Sequence, residues 1–358
     1  MEPQGLARQP LLVALPFVMM AGVAAVDLAT GPDAGYLALF SLGPAFACVT
    51  GSIRRSLLVG VLALLFCLGV FWHDDLLLTH RALVVGLSVV GSTAAATLAA
   101  SIRRRHEREL ANMRSVAEAA QRVLLRPVPL RAGRMRIAVS YTSADASARI
   151  GGDLYEVVPT PHGTRVIVGD VQGKGLEAVE TAAVVLGAFR EAAPDAKDLE
   201  EVGERLERAL NRRLSGEEFV TAVLAEIDAD HTMTLLNYGH PAPLLLRSNG
   251  AVEFAEPTAP APPLGLAILG PEGPAAYQVE LGSGDQMLFY TDGVTEARDA
   301  ERTFYPLADR AFLLDQEDPD EALETLRQDL VLHTGGPLHD DAAMLLLRYR
   351  GEPGSLGE

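Results

Sequence analysis

Cysteine is nearly absent: Cys48 and Cys67 are the only two in 358 residues, both inside apolar runs. One pair supports neither a disulfide framework nor a zinc ligand set, and both read as small apolar packing residues. Lysine is equally scarce, with Lys174 and Lys197 alone among cations that are otherwise arginine. Positive charge is short overall, 30 Lys and Arg against 47 Asp and Glu, for a formal net charge of −17. Such a surface argues against nucleic acid as a partner. There is no G-x-S-x-G nucleophile elbow and no cysteine in a phosphatase-type loop. Nothing resembles a phosphoacceptor helix or a glycine-rich nucleotide lid, which ranks a membrane sensor kinase last among the readings.

What is there divides unevenly. Residues 1–105 hold seven arginines against five acids, net +2, so the remainder carries −19. Four apolar stretches fill that first part: Leu11–Ala29, Tyr36–Thr50, Leu57–Trp72 and Ala82–Ala100. A bilayer span takes about 20 apolar residues, and the second and third runs are marginal by that count. They read as a tight hairpin about the basic break GSIRRS, giving four transmembrane helices over 1–100. Arg8, Arg54, Arg55 and Arg103–Arg105 fall on one side, so the positive-inside rule puts both termini in the cytoplasm. His73, Asp74, Asp75 and His80 lie in an outer connection and read as a solvated polar loop. The expected location is a cell membrane, multi-pass. The alanine-, glycine- and arginine-rich bias suggests a bacterium with a GC-rich genome.

Residues 101–130 form a linker. A helix-forming stretch is stopped by Pro127 and Pro129, and Leu110, Met113, Ala117, Ala120 and Leu124 repeat at the three–four spacing of a coiled-coil seam. A homodimer through this helix is the partner it suggests. From Met135 onward strands alternate with helices. DLYEVVPTPHGTRVIVGD reads as a hairpin turning at Pro161–Gly163, and Asn249–Gly250 as a second turn. Leu176–Ala193, Asp198–Arg213 and Pro319–His333 read as helices. Strand blocks with segregated helices predict an α+β fold over 131–350, with 351–358 a disordered tail.

Four separate acidic islands carry the chemistry: GGD ending at Asp153, GDVQGKG around Asp170, TDG around Asp292, and HDD with Asp340 and Asp341. Each lies beside a β-like run or a turn. Aspartates drawn from distant strand ends build hard oxygen ligand sets for Mg²⁺ or Mn²⁺. Taken one at a time, GD and DG are ordinary turn pairs; four together outweigh that reading.

The motifs GGDLYE, GDVQGKGLEA, NYGHPAPLLL, LFYTDGVTEA and HDDAAMLLLRY resemble the metal-dependent serine/threonine protein phosphatases (PPM, type 2C), in the bacterial stage II sporulation protein E-like branch. The resemblance runs from Val116 to Tyr349. It implies an antiparallel β-sandwich flanked by helices, with two divalent cations, Mn²⁺ or Mg²⁺, at one end. Asp170 is then expected to bridge both ions, with the Val171 backbone carbonyl on the second. Asp292 and Asp340 complete the first, and Asp153 holds the second. Asp170 and Asp292 act in catalysis through metal-activated water, in one in-line step with no phosphoenzyme.

The same resemblance makes Gly151, Gly152, Gly169, Gly173, Gly175 and Gly293 supports where backbone approaches a metal-bound phosphate. Asp341 orients the Asp340 loop. Lys174 replaces the more usual histidine and is a candidate phosphate contact, while its ordinary pKa makes it a poor general acid. Glu156 stands where an aspartate is frequent and is expected to affect an outer position. His240 is expected in loop architecture, and His339 near the metals. The linker helix is expected to act as a lever. The implied substrate is phosphoserine or phosphothreonine on a cytoplasmic regulator, such as an anti-sigma-factor antagonist. The competing reading is a catalytically silent docking module of the same fold.

Overall fold

The computed structural model describes residues 4–30, 36–47, 53–73, 77–142, 151–161, 163–213, 218–228, 232–266 and 273–350. Cys48, Asp74, Asp75 and the 351–358 tail lie outside the described residues. The chain forms two compact units, Met1–Asn112 and Met113–Glu358.

The first unit contains α1 (Gln4–Thr30), a 3₁₀ turn (Tyr36–Ser41), α2 (Leu42–Ala47), α3 (Ile53–His73) and the start of α4 (His80–Leu124). Phe40, Ala63, Cys67, Phe71, Val85 and Val89 pack together inside it, so Cys67 is the apolar packing residue expected. Leu58, Val61, Leu65 and Leu68 stay exposed along α3. Two helices among the described residues, Ile53–His73 and His80–Met113, are long and apolar enough to cross a membrane. The four spans expected thus reduce to two by this measure. The second run breaks into a 3₁₀ turn and a six-residue helix holding Gly43 and Pro44, too short to span. Within α1, the apolar segment Ala14–Asp27 is also short.

The second unit is the predicted α+β sandwich. One antiparallel sheet orders β1 (Arg131–Ala132), β2 (Met135–Thr142), β11 (Ala342–Tyr349), β10 (Gln286–Tyr290), β7 (Leu244–Leu246) and β8 (Val252–Phe254). The other orders β3 (Leu154–Thr160), β4 (Gly163–Val171), β5 (Val220–Ile227), β6 (Thr232–Tyr238) and β9 (Tyr277–Glu280). Strand periodicity of two assigns the faces. Val166 and Val168 point at the opposite sheet, as do Val223, Phe289, Leu345 and Leu347. Ile167 and Leu224 point the other way, onto α5 (Leu176–Asp195) and α6 (Leu199–Asn211). On the far side Met344 and Leu346 share a core with α8 (Leu307–Arg310) and α9 (Pro319–Thr334). Strands covered on both faces read as unbroken apolar runs, which is why RVIVGD and AAMLLLRY lack alternation.

Side chains fix the helix ends. Asp198 caps α6 by accepting from Glu201 N at 2.9 Å, and Asp318 caps α9 with Pro319 in its first turn. Gly335 closes α9 in the left-handed conformation. The turns expected at Pro161–Gly163 and Asn249–Gly250 join β3 to β4 and β7 to β8.

Register then gathers the acids. Leu154 pairs with Gly169 across β3 and β4, so Asp153 and Asp170 stand at one end of that sheet. Tyr290 pairs with Met344 across β10 and β11, which sets Asp292 and Asp340 together at the matching end of the other sheet.

Candidate metal centre

Asp153 immediately precedes β3, Asp170 is the penultimate residue of β4, Asp292 opens a four-residue helix, α7 (Asp292–Thr295), after β10, and Asp340 leads into β11. Asp153 is buried and accepts from Thr291 Oγ1 at 2.8 Å. Thr291, which sequence reasoning missed, also accepts from Ala343 N at 3.0 Å, tying the TDG turn to β11. Its only sequence signal is its place beside Asp292.

Two glycines make the acids' approach possible. A Cβ on Gly152 would lie 2.5 Å from the Val171 carbonyl oxygen, and one on Gly293 would lie 1.8 Å from the Asp341 carbonyl oxygen. These contacts are with the chain's own backbone. Gly169 sits in β4 beside β5, while Gly173 and Gly175 take positive φ in the turn leading to α5.

The carboxylates repel one another. Burial first, then the charge of Asp170, holds Asp153 well above the ordinary carboxylate range, with Asp341 and Asp292 adding to it. Asp170 is pushed up to about 7 by burial and then by Asp292 and Asp340, with Lys174 opposing. Asp292 is raised by burial, then by Asp340 and Glu296. Lys174 Nζ stands 2.6 Å from Asp340 Oδ1. Among the described residues, no three acidic, imidazole or thiol groups already converge as an ion's ligands. The donor chemistry nonetheless fits divalent cations: several oxygens, no soft ligand, and an excess of negative charge that raises its own pKa values.

Asp341 has a different task. Its Oδ2 accepts from Gly151 N at 3.0 Å and from the Tyr141 hydroxyl, so it clamps the GGD turn to β11, with its own backbone N donating to Asp340 Oδ1 at 3.0 Å. Burial and Asp341's charge push the Tyr141 hydroxyl pKa up, keeping it a donor. Gln121, on α4, donates to Tyr141 Oη at 2.7 Å and to the Gly151 carbonyl at 3.3 Å. Sequence reading missed both residues, because a polar residue in a strand or helix carries no distance information.

His240 is structural, as expected. Its ring nitrogens lie 3.0 Å from Thr221 Oγ1 and 3.0 Å from the Tyr290 carbonyl oxygen. Thr221 pairs with Asp170 and Tyr290 precedes the TDG turn, so the imidazole links the two sheets near the acids. Burial lowers its pKa to about 4, which leaves it neutral. Glu156 is buried and pairs with Arg190 of α5, whose Nη2 also donates to the Leu124 carbonyl at 2.6 Å. His339 lines a cleft with Asp292 and Asp340.

Comparison with known proteins agrees with this geometry. The family model described as stage II sporulation protein E matches residues 160–350, which includes Asp170, Asp292 and Asp340 but not Asp153. Phosphoserine phosphatase RsbU of Bacillus subtilis is 24% identical over 206 residues, covering 56% of this chain and 60% of that one. The chain therefore spans about three fifths of that relative's length. The solved RsbU and RsbW domains of a Mycobacterium tuberculosis protein share 27% identity at a TM-score of 0.53, covering 60% of each chain. The SiaA-PP2C domain of Pseudomonas aeruginosa superposes with a TM-score of 0.58 at 19% identity, covering 68% of this chain and 98% of that one.

Proposed function

This chain belongs to the stage II sporulation protein E family, and from that premise we propose that it is a membrane-anchored, metal-dependent phosphoprotein phosphatase. The observation that carries the reading is the gathering of Asp153, Asp170, Asp292 and Asp340 at one end of the sandwich, where burial and neighbouring carboxylates raise Asp153, Asp170 and Asp292. Asp170, Asp292 and Asp340 would hold one Mg²⁺ or Mn²⁺ ion, and Asp170, Asp153 and the Val171 carbonyl a second. When bound, such ions make water acidic and neutralise phosphoryl charge.

The chain's own residues limit the chemistry. The Thr291 hydroxyl is buried and donates to Asp153, so it is no nucleophile. Both His240 nitrogens are engaged, so it is no general acid. Direct attack of water is what the motif resemblance implies, and neither side chain is free to compete with it. Lys174, half-exposed beside Asp340, is our candidate for contacting the substrate phosphate as a point charge. Tyr141 and Asp341 keep the GGD turn in position.

We assign 1–100 to the membrane region, multi-pass with both termini cytoplasmic, on the arginine distribution. Residues 101–130 are the linker, through which two chains would pair, and 131–350 the catalytic domain. Leu110 and Met113 remain exposed for that pairing, whereas Ala120 and Leu124 pack on Val179 of the domain itself. The substrate is phosphoserine or phosphothreonine on a cytoplasmic regulator, and the motif resemblance favours an anti-sigma-factor antagonist.

The test is phosphate release from a phosphoserine peptide by the full chain with Mn²⁺, Mg²⁺ or EDTA. We expect metal-dependent turnover, lost in Asp170→Asn and Asp292→Asn. Turnover surviving in both variants would overturn the assignment of these aspartates, and none in the parent with either metal would point to the silent docking module.

A further inference from the structure

One backbone outlier stands beside the acidic site. Arg298 and Phe304 form an isolated antiparallel bridge that closes a tight hairpin. Within it Arg302 N donates to the Asp299 carbonyl at 3.0 Å, Asp299 N donates to the Thr303 carbonyl at 3.1 Å, and Thr303 N donates to Asp299 Oδ1 at 2.8 Å. Arg302 takes the left-handed corner with φ 68, the only non-glycine at positive φ among the described residues. Such corners favour glycine, and an L side chain there is disfavoured. Fold stability alone gives no reason for arginine, and strain of this kind collects at functional sites.

The surroundings suggest the reason. A cleft of about 460 Å³ is lined by Asp292, Asp340, Glu296, Arg298, Arg302 and His339, among others. Asp299's carboxylate is engaged within the turn. The Arg298 guanidinium lies over the Phe304 ring at 4.2 Å, which pins it while leaving its charge. Arg302 is exposed and has no ion pair among the described residues. Arg298 and Arg302 thus bring two guanidinium groups, set among the acids Glu296, Asp299 and Glu301 of the same stretch, to the cleft that Asp292 and Asp340 also line.

We propose that Arg302, supported by Arg298, binds an acidic side chain flanking the phosphorylated residue of the substrate. The proposal rests on the phosphatase reading: the aspartates serve the phosphoryl group, and the hairpin reads the chain beside it. A planar guanidinium suits a carboxylate through paired hydrogen bonds.

Two phosphoserine peptides test it, one with aspartates on both sides of the phosphoserine and one with asparagines in their place. Binding to the full chain is read by fluorescence anisotropy with EDTA, and turnover with Mn²⁺. We expect the parent to favour the acidic peptide about fivefold, the upper range for one exposed ion pair. That ratio should fall toward one in Arg302→Gly and persist largely in Arg302→Lys. Arg302→Gly supplies the residue the corner favours, so it should melt no lower than the parent. Equal affinity of the parent for both peptides, or an undiminished ratio in Arg302→Gly, overturns the proposal. A lost ratio accompanied by a lower melting temperature assigns Arg302 to the turn and overturns it as well. Turnover without preference sinks this site alone, whereas preference in binding without turnover sinks the phosphatase reading and leaves the site standing.

Discussion

The surroundings of Asp170 disfavour its charged form. Its folded pKa of about 7 lies above the ordinary carboxylate value, so the metal-free fold favours the protonated acid. Stability from this group is present at low pH and is lost as pH rises toward 7. In EDTA at pH 8, Asp170→Asn should therefore melt a few degrees above the parent, since about 1 kcal/mol moves a domain of this size by roughly 2–4 °C. Adding Mn²⁺ should reverse the order; a variant less stable in EDTA would mean that the repulsion is not real. His240 works the other way. Its folded pKa of about 4 lies below the ordinary value, so its contribution is complete above pH 6.5 and is lost as pH falls from there toward 4. The full effect is on the order of 3 kcal/mol. Denaturant unfolding across that window should give a shallower pH slope for His240→Gln than for the parent; identical slopes would rule the imidazole out. All four aspartates were legible in sequence because each sits in a short acidic turn motif. Thr291, Tyr141 and Gln121 were not, because what they do depends on which strands and helix happen to meet.

Strand ends do the positioning. The GGD turn is seated on the backbone of Val171 and the TDG turn on that of HDD, and Gly293 is the closest contact of all, 1.8 Å from Asp341's carbonyl for an added Cβ. Backbone cannot rotate aside as a side chain can, so Gly293→Ala should cost more than about 2 kcal/mol, read as a fall in melting temperature. An unchanged melt would show that the turn has room to relax. Tyr141→Phe tests the neighbouring clamp: it leaves buried Asp341 short of one donor, at about 1–3 kcal/mol. Most strands were readable as apolar runs because helices cover their outer faces. The short β9, four residues of mixed polarity at a sheet edge, gave no such signal. The linker seam was legible as periodicity, yet periodicity does not name the partner surface; Ala120 and Leu124 turn out to face α5.

Across the whole chain, a slightly basic apolar part precedes a strongly acidic folded one. Two helices meet the length and composition of membrane spans, and α3 leaves leucines and valines exposed where water would disfavour them. The chain should stay with the membrane fraction through an alkaline carbonate wash and be released by detergent; release by carbonate alone would remove the anchor from the proposal. Hydropathy made the apolar part visible in sequence, and among the described residues two of its helices meet the length and composition of a span; apolar length does not reveal where a run such as 36–47 divides into a 3₁₀ turn and a short helix. Everything functional still returns to the acids at the end of the sandwich. Calorimetric titration of the full chain with Mn²⁺ addresses them most directly. We expect uptake of about two ions per chain, as a dinuclear site requires, and its loss in Asp170→Asn. Absence of uptake by the parent, or equal uptake by the variant, would contradict a metal centre built on these carboxylates.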